Sequence, residues 1–232
     1  MEQLSEKLFK IFNVSRMVRS LSTGSIILLF SIYSVSGQKG TVVSPHYLLP
    51  EFTKGTVLLK AGTPREIKMN YNIITEEMIF EYPGKYLALT NIETIDTVFI
   101  MGRKFIPSGK IFHELLLNGK IPLFAKYTCT VTPPGKPSGY GGTSQTSSIT
   151  VIDQLFSKGR AYEMELPADY VVVPKTEYLL FKDGNFIRTY NIKQVIKAFP
   201  EKGSQIKEYN KKRKTDFKKQ DDVISLITFC DK

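Results

Sequence analysis

Tryptophan is absent from this 232-residue sequence, and histidine and cysteine occur only twice each, which narrows the chemistry open to it. A sugar-binding surface would have to stack on tyrosine or phenylalanine alone. A serine or cysteine nucleophile needs a histidine base within hydrogen-bond reach, and only His46 and His113 are on offer. His46 lies in a lead flanked by Pro45 and Pro50, and His113 in a strand-like run, Ile111-Phe112-His113-Glu114-Leu115. Neither is near a nucleophile elbow, and a lone strand histidine is more often a surface or satisfied core residue than a base. There is no Cys-x-x-Cys, no His-Glu-x-x-His and no acidic loop with calcium-ligand spacing, so no metal site is expected. Gly135-Lys136-Pro137-Ser138 and Gly139-Tyr140-Gly141-Gly142-Thr143-Ser144 fit neither the phosphate-binding loop nor the dinucleotide fingerprint. Prolines flank Gly135-Lys136 and no helical pattern follows at once. No cofactor and no catalytic residue are assigned.

A long hydrophobic run is also missing. The uncharged, mostly apolar stretch Ser25–Val35 has eleven residues, where a helix crossing a bilayer needs roughly twenty. Lys7, Lys10, Arg16 and Arg19 precede it, and the small residues Val35-Ser36-Gly37 close it. That order predicts a secretory signal over residues 1–37, cut between Gly37 and Gln38, with Met17 as an alternative start of more ordinary signal length. No cysteine follows the small residues, so lipid attachment is not expected.

Apolar residues at 42% and charged residues at 23% are near globular averages. The formal charge is +10, and with four of 32 basic and two of 22 acidic residues ahead of residue 38, the remainder carries +8. Such an excess favours acidic partners without choosing among lipid head groups, glycans and nucleic acid.

Within residues 38–190 turn signals recur at Lys60-Ala61-Gly62-Thr63, Tyr82-Pro83-Gly84-Lys85, Met101-Gly102-Arg103-Lys104 and Asn118-Gly119-Lys120. Between them Ile67, Met69 and Tyr71 alternate with polar residues, and Met78 and Phe80 stand among Glu77, Ile79 and Glu81, the period of half-buried strands. Residues 133–148 turn to Pro, Gly, Ser and Thr, and such a long aperiodic connection is functional or mobile. Its candidate binding residues are Lys136, Tyr140, Gly141, Gly142 and Gln145. Strand signals resume at Ala161–Leu166 and Glu177–Lys182, and Asp183-Gly184 reads as a hairpin turn into Phe186–Tyr190.

From residue 191 to 232 the period becomes helical. Asn191 is placed to cap a helix carrying Ile192, Val195, Ile196 and Phe199, with Pro200 as its stop. Ser204 could cap a second with Ile206 and Tyr209, and Asp221 or Asp222 a third with Val223, Leu226, Ile227 and Cys230. The fold class predicted is α+β: an antiparallel meander or half-barrel followed by short helices. Cys129 is in phase with the apolar face Leu123, Ala125 and Tyr127, and Cys230 lies on a helical stripe, so two core thiols are the plainer reading and a Cys129–Cys230 disulfide the alternative. A basic patch stands out at Lys211, Lys212, Arg213, Lys214, Lys218 and Lys219. Behind an export signal it points to an anionic membrane surface or a solvated helix end rather than to nucleic acid.

Gly55-Thr56-Val57-Leu58-Leu59-Lys60, the stretch from Asn70-Tyr71-Asn72-Ile73 to Phe80, and the helical tail from Ile192 resemble small exported envelope proteins of Gram-negative bacteria that have no assigned function. The resemblance rests on turn and strand residues. It implies residence in the periplasm or outer envelope and no activity. The expectation is therefore a non-catalytic binding or structural module whose partner is an envelope protein, a glycan or an anionic membrane surface. The alternatives are an envelope hydrolase using carboxylates such as Glu76, Glu77, Glu163, Glu165 and Asp169, or a carrier with a ligand cavity in its sheet.

Overall fold

The computed structural model describes residues 45–132, 136–137, 143–144 and 170–232. Ten strands form one antiparallel sheet: β1 (Thr53–Leu59), β2 (Arg65–Asn72), β3 (Glu77–Tyr82), β4 (Lys85–Ala88), β5 (Ile95–Ile100), β6 (Arg103–Ser108), β7 (Ile111–Leu117), β8 (Leu123–Thr132), β11 (Val171–Lys182) and β12 (Asn185–Arg188). Two short strands, β9 (Lys136–Pro137) and β10 (Thr143–Ser144), pair with each other between β8 and β11. The order across the large sheet is β12-β11-β8-β7-β6-β5-β1-β2-β3-β4. It is thus two meanders, β1 to β4 and β5 to β12, joined where β5 returns to pair with β1. The sheet does not close, but it curls: the Tyr71 hydroxyl on β2 donates to the Phe112 carbonyl on β7 at 3.3 Å, and Lys126 on β8 reaches Glu76 in the β2–β3 turn at 3.0 Å.

Local chemistry explains the turns. Met101-Gly102 and Asp183-Gly184 both have positive φ at each residue, the two-residue hairpin geometry whose twist matches the flanking strands. At the β1/β5 seam Gly55 has no room for a side chain, since a Cβ there would stand 2.7 Å from the Phe99 carbonyl oxygen. Asn70 splices the lead onto the sheet: its amide oxygen accepts from Leu49 N–H at 3.0 Å, and its amide nitrogen donates to the carbonyls of Leu49 and Glu51.

Three helices follow: α1 (Ile192–Ala198), α2 (Gly203–Arg213) and α3 (Gln220–Asp231). Asn191 caps α1 as its sequence position suggests, its side chain accepting from Gln194 N–H at 3.1 Å. The other two expected caps do not form. The residues preceding α2 and α3 are Lys202 and Lys219, without a side-chain cap bond, and the Asp222 carboxylate instead accepts from Asp216 N–H. The α3 stripe Val223, Leu226, Ile227 and Cys230 is buried in the same cluster as Met69, Tyr71, Phe105, Phe112, Leu123 and Leu180 of the sheet. Lysines tie helix ends down: Lys182 Nζ donates to the Ala198 carbonyl and Lys202 Nζ to the Cys230 carbonyl, each at 2.7 Å. No described helix is long and apolar enough to cross a membrane.

Candidate functional site

Strand alternation sends Phe112 and Glu114 to the main core and His113 to the opposite face. There the His113 ring is 4% exposed and sits among Phe124 and Phe186, with Phe181 beside them. Neither ring nitrogen has a hydrogen-bond partner. The ring is therefore neither a surface residue nor a satisfied core residue, the two roles its sequence context suggests. Burial, and next the Lys126 charge, push its pKa down to about 4. His46 is likewise buried, packs on Tyr47 at 4.5 Å between ring centroids, and has its pKa lowered by burial to about 4.

On the core side, Arg103 of β6 makes a bidentate pair with Glu114 of β7, Nε to Oε1 at 2.9 Å and Nη2 to Oε2 at 2.7 Å. The Tyr127 hydroxyl donates to the same carboxylate, and Gln220 Oε1 at the start of α3 lies 3.4 Å from that hydroxyl. The guanidinium also lies over the rings of Phe105 and Tyr127, 5.3 and 5.1 Å from their centroids. Burial works against the Arg103 charge, but the Glu114 hydrogen bond and the electrostatic pull of Tyr127 and Glu114 together outweigh it and hold the guanidinium protonated. Burial, with Glu114 adding to it, raises the Tyr127 phenol. This group was not legible from spacing, because its members sit on three strands and a helix with no shared local motif.

Cys129 and Cys230 are free thiols in the structure, so the alternative disulfide does not form there. Burial raises each to about 11, Glu76 adding to the effect at Cys129. Of the carboxylates considered for hydrolysis, Glu76 is paired with Lys126, and Glu163, Glu165 and Asp169 lie outside the described residues, as do Gly37, Gln38, Tyr140, Gly141, Gly142, Gln145 and the Ala161–Leu166 strand signal. Lys136 is described only as a strand residue, opposite Ser144. Among the described residues no group of three or more His, Cys, Asp or Glu could hold a metal ion.

The basic patch is brought together at one corner. Lys211, Lys212 and Arg213 form the last turn of α2, Lys214 ends it with φ 50°, and Lys218 and Lys219 lead into α3. All six are exposed. The loop between is held by its own polar groups: Lys214 N–H returns to the Asn210 carbonyl at 2.8 Å, Thr215 N–H to Asn210 Oδ1 at 3.1 Å, and Lys218 N–H to Asp216 Oδ1 at 2.9 Å. Only Lys212 of the six has an ion-pair partner among the described residues, Glu208 at 2.8 Å. Cations here also suit the negative end of the α2 dipole. No protein-family model matches the chain, and comparisons with curated proteins and with solved structures give no match.

Proposed function

We propose that this chain is an exported, non-catalytic binding module that presents the basic corner between α2 and α3 to an acidic partner in the cell envelope. The observation that carries the reading is the corner itself: six exposed cations on the last turn of α2 and the loop after it, which is braced by its own polar groups, with one ion pair to them among the described residues. The buried and half-buried reactive groups support it from the other side. Two imidazoles with pKa near 4 and two thiols with pKa near 11 are poor bases and poor nucleophiles at neutral pH. Glu114 spends its oxygens on Arg103 and Tyr127.

Export follows from the short apolar run after basic residues in the first 37 positions. The test is fractionation followed by affinity. The chain carrying a C-terminal tag is expected in the envelope or periplasmic fraction, shortened at its amino terminus, and retained on an immobilised polyanion until salt is raised. Recovery of the uncut chain from the cytosol would overturn the compartment, and failure to bind any polyanion would overturn the partner class.

A further inference from the structure

Resting on that reading, we infer that the acidic partner is the anionic head-group surface of a lipid bilayer, met by the outer side of the helical layer. The 42 residues from Asn191 to Lys232 hold eleven basic and six acidic side chains. Four of those six acids are turned to internal work. Glu208 pairs with Lys212, Asp216 accepts from Lys218 N–H, Asp222 accepts from Asp216 N–H, and Asp231 accepts from Lys120 N–H at 2.7 Å beside the β7–β8 turn. Ten of the eleven cations, by contrast, are exposed, and Lys202 alone turns inward to the Cys230 carbonyl. Lys193 and Lys197 on α1 and Lys207 on α2 are exposed as well, so the positive charge spreads beyond the corner over two helices.

The composition of this surface separates a bilayer from a ligand held by ring stacking. Single-stranded nucleic acids are held by exposed aromatic rings that stack on bases, and sites for uncharged sugars use aromatic faces in the same way, whereas an acidic glycan held by cations alone is told from a bilayer by the heparin comparison. Among the described residues the exposed aromatic ones are Tyr82, Tyr86, Phe181, Phe186 and Tyr190, none of them in the corner. The rings within it, Tyr209, Phe217 and Phe229, are packed against the core, Tyr209 and Phe229 stacked at 4.7 Å. A corner with cations and no exposed rings among the described residues reads charge alone. Head groups that diffuse laterally can gather under such cations without a fixed register, and each Lys or Arg near the surface strengthens binding about fivefold.

The experiment is vesicle sedimentation of the protein in the form isolated from cells, with phosphatidylcholine vesicles with and without phosphatidylglycerol. Comparing variants in one chain background cancels any contribution from Ser25–Val35. Binding is expected only with phosphatidylglycerol and is expected to fall as salt rises. Replacing Lys211, Lys214, Lys218 and Lys219 by Gln is expected to weaken it at least about a hundredfold. The same change in charge at the exposed Lys54, Lys60, Lys85 and Lys110 of the sheet is expected to cost less than about tenfold, because salt screens charges beyond about 10 Å. Equal losses in both sets, or equal binding to both kinds of vesicle, would overturn the docking surface. Retention on heparin without vesicle binding would overturn the bilayer and leave the polyanion reading standing, whereas binding to neither would overturn both. Circular dichroism of each variant checks that the fold is intact.

Discussion

Protonating His113 creates two N–H donors where the surroundings are phenyl rings and neither nitrogen has an acceptor, so the folded state resists the proton and the unfolded chain does not. Its pKa falls from 6.5 to about 4 on folding, and that of His46 does the same. Between those values the unfolded state binds more protons, so stability is full above pH 6.5, falls as pH drops toward 4, and loses nothing further from these rings below that. After allowance for solvent screening, each ring contributes on the order of 2 kcal/mol to this loss. Urea unfolding at pH 7.5 and 4.5 checks it: His113→Leu is expected to remove about half of the acid-induced loss, and a wild-type midpoint that does not move would contradict the account. Arg103 and Glu114 call for a different change. Removing one partner strands a mostly buried charge, so Arg103→Met is expected to cost about 3 kcal/mol, while Arg103→Met combined with Glu114→Leu costs less than the two single changes together. A thermal-shift double-mutant cycle reads the coupling. The pair was hidden in the sequence because residues 103 and 114 meet only through the pairing of β6 with β7, and register depends on the whole hairpin rather than on either residue's neighbours.

At the scale of elements, what is encoded within a few residues was readable and what depends on distant partners was not. The alternation of Ile67, Met69 and Tyr71 places β2, Asp183-Gly184 places the β11–β12 turn, and Asn191 starts α1. Alternation says which face a side chain takes, not which strand lies alongside, so nothing local announces that β5 returns to β1. Ser204 and Asp222 resemble caps, yet α2 begins at Gly203, behind Lys202 and the turn at Pro200–Lys202, and Asp222 is drawn to Asp216 N–H. These assignments differ measurably. Asn191→Ala is expected to cost about 1 kcal/mol, whereas Ser204→Ala, which removes no cap bond, is expected to stay within about 0.5 kcal/mol. At the seam, Gly55→Ala drives a methyl group against the Phe99 carbonyl, and backbone cannot rotate out of the way as a side chain can. A loss of about 2 kcal/mol is expected. Chemical denaturation of the three variants side by side would rank them, and a Ser204 effect as large as that of Asn191 would show that α2 is capped differently.

For the whole molecule, the question is whether the helical tail is an appendage or part of the body. One apolar cluster runs without interruption from Val57, Met69 and Tyr71 through Phe105, Phe112 and Leu123 to Val195, Ile206, Val223, Leu226 and Ile227. Polar ties reinforce it at the ends of α3, from Asp231 to Lys120 N–H and from Gln220 to Tyr127. A curled sheet that leaves its concave apolar face open would be unstable in water, and α3 supplies side chains that cover it. The tail and the sheet must then melt together. Leu226→Ala, on the helix, and Met69→Ala, on the sheet, are each expected to cost about 2 to 5 kcal/mol and to shift one shared transition, with far-ultraviolet and tyrosine signals moving together. Ending the chain after Lys219 is expected to abolish cooperative unfolding and expose a dye-binding apolar face, because four buried residues of α3 are lost at once. Two separate transitions, or a truncated chain that still melts sharply, would make the helices a satellite of the sheet. The basic corner would then be carried on a loosely held arm, and the braced loop between Asn210 and Asp222 would owe its order to itself rather than to the core beneath it.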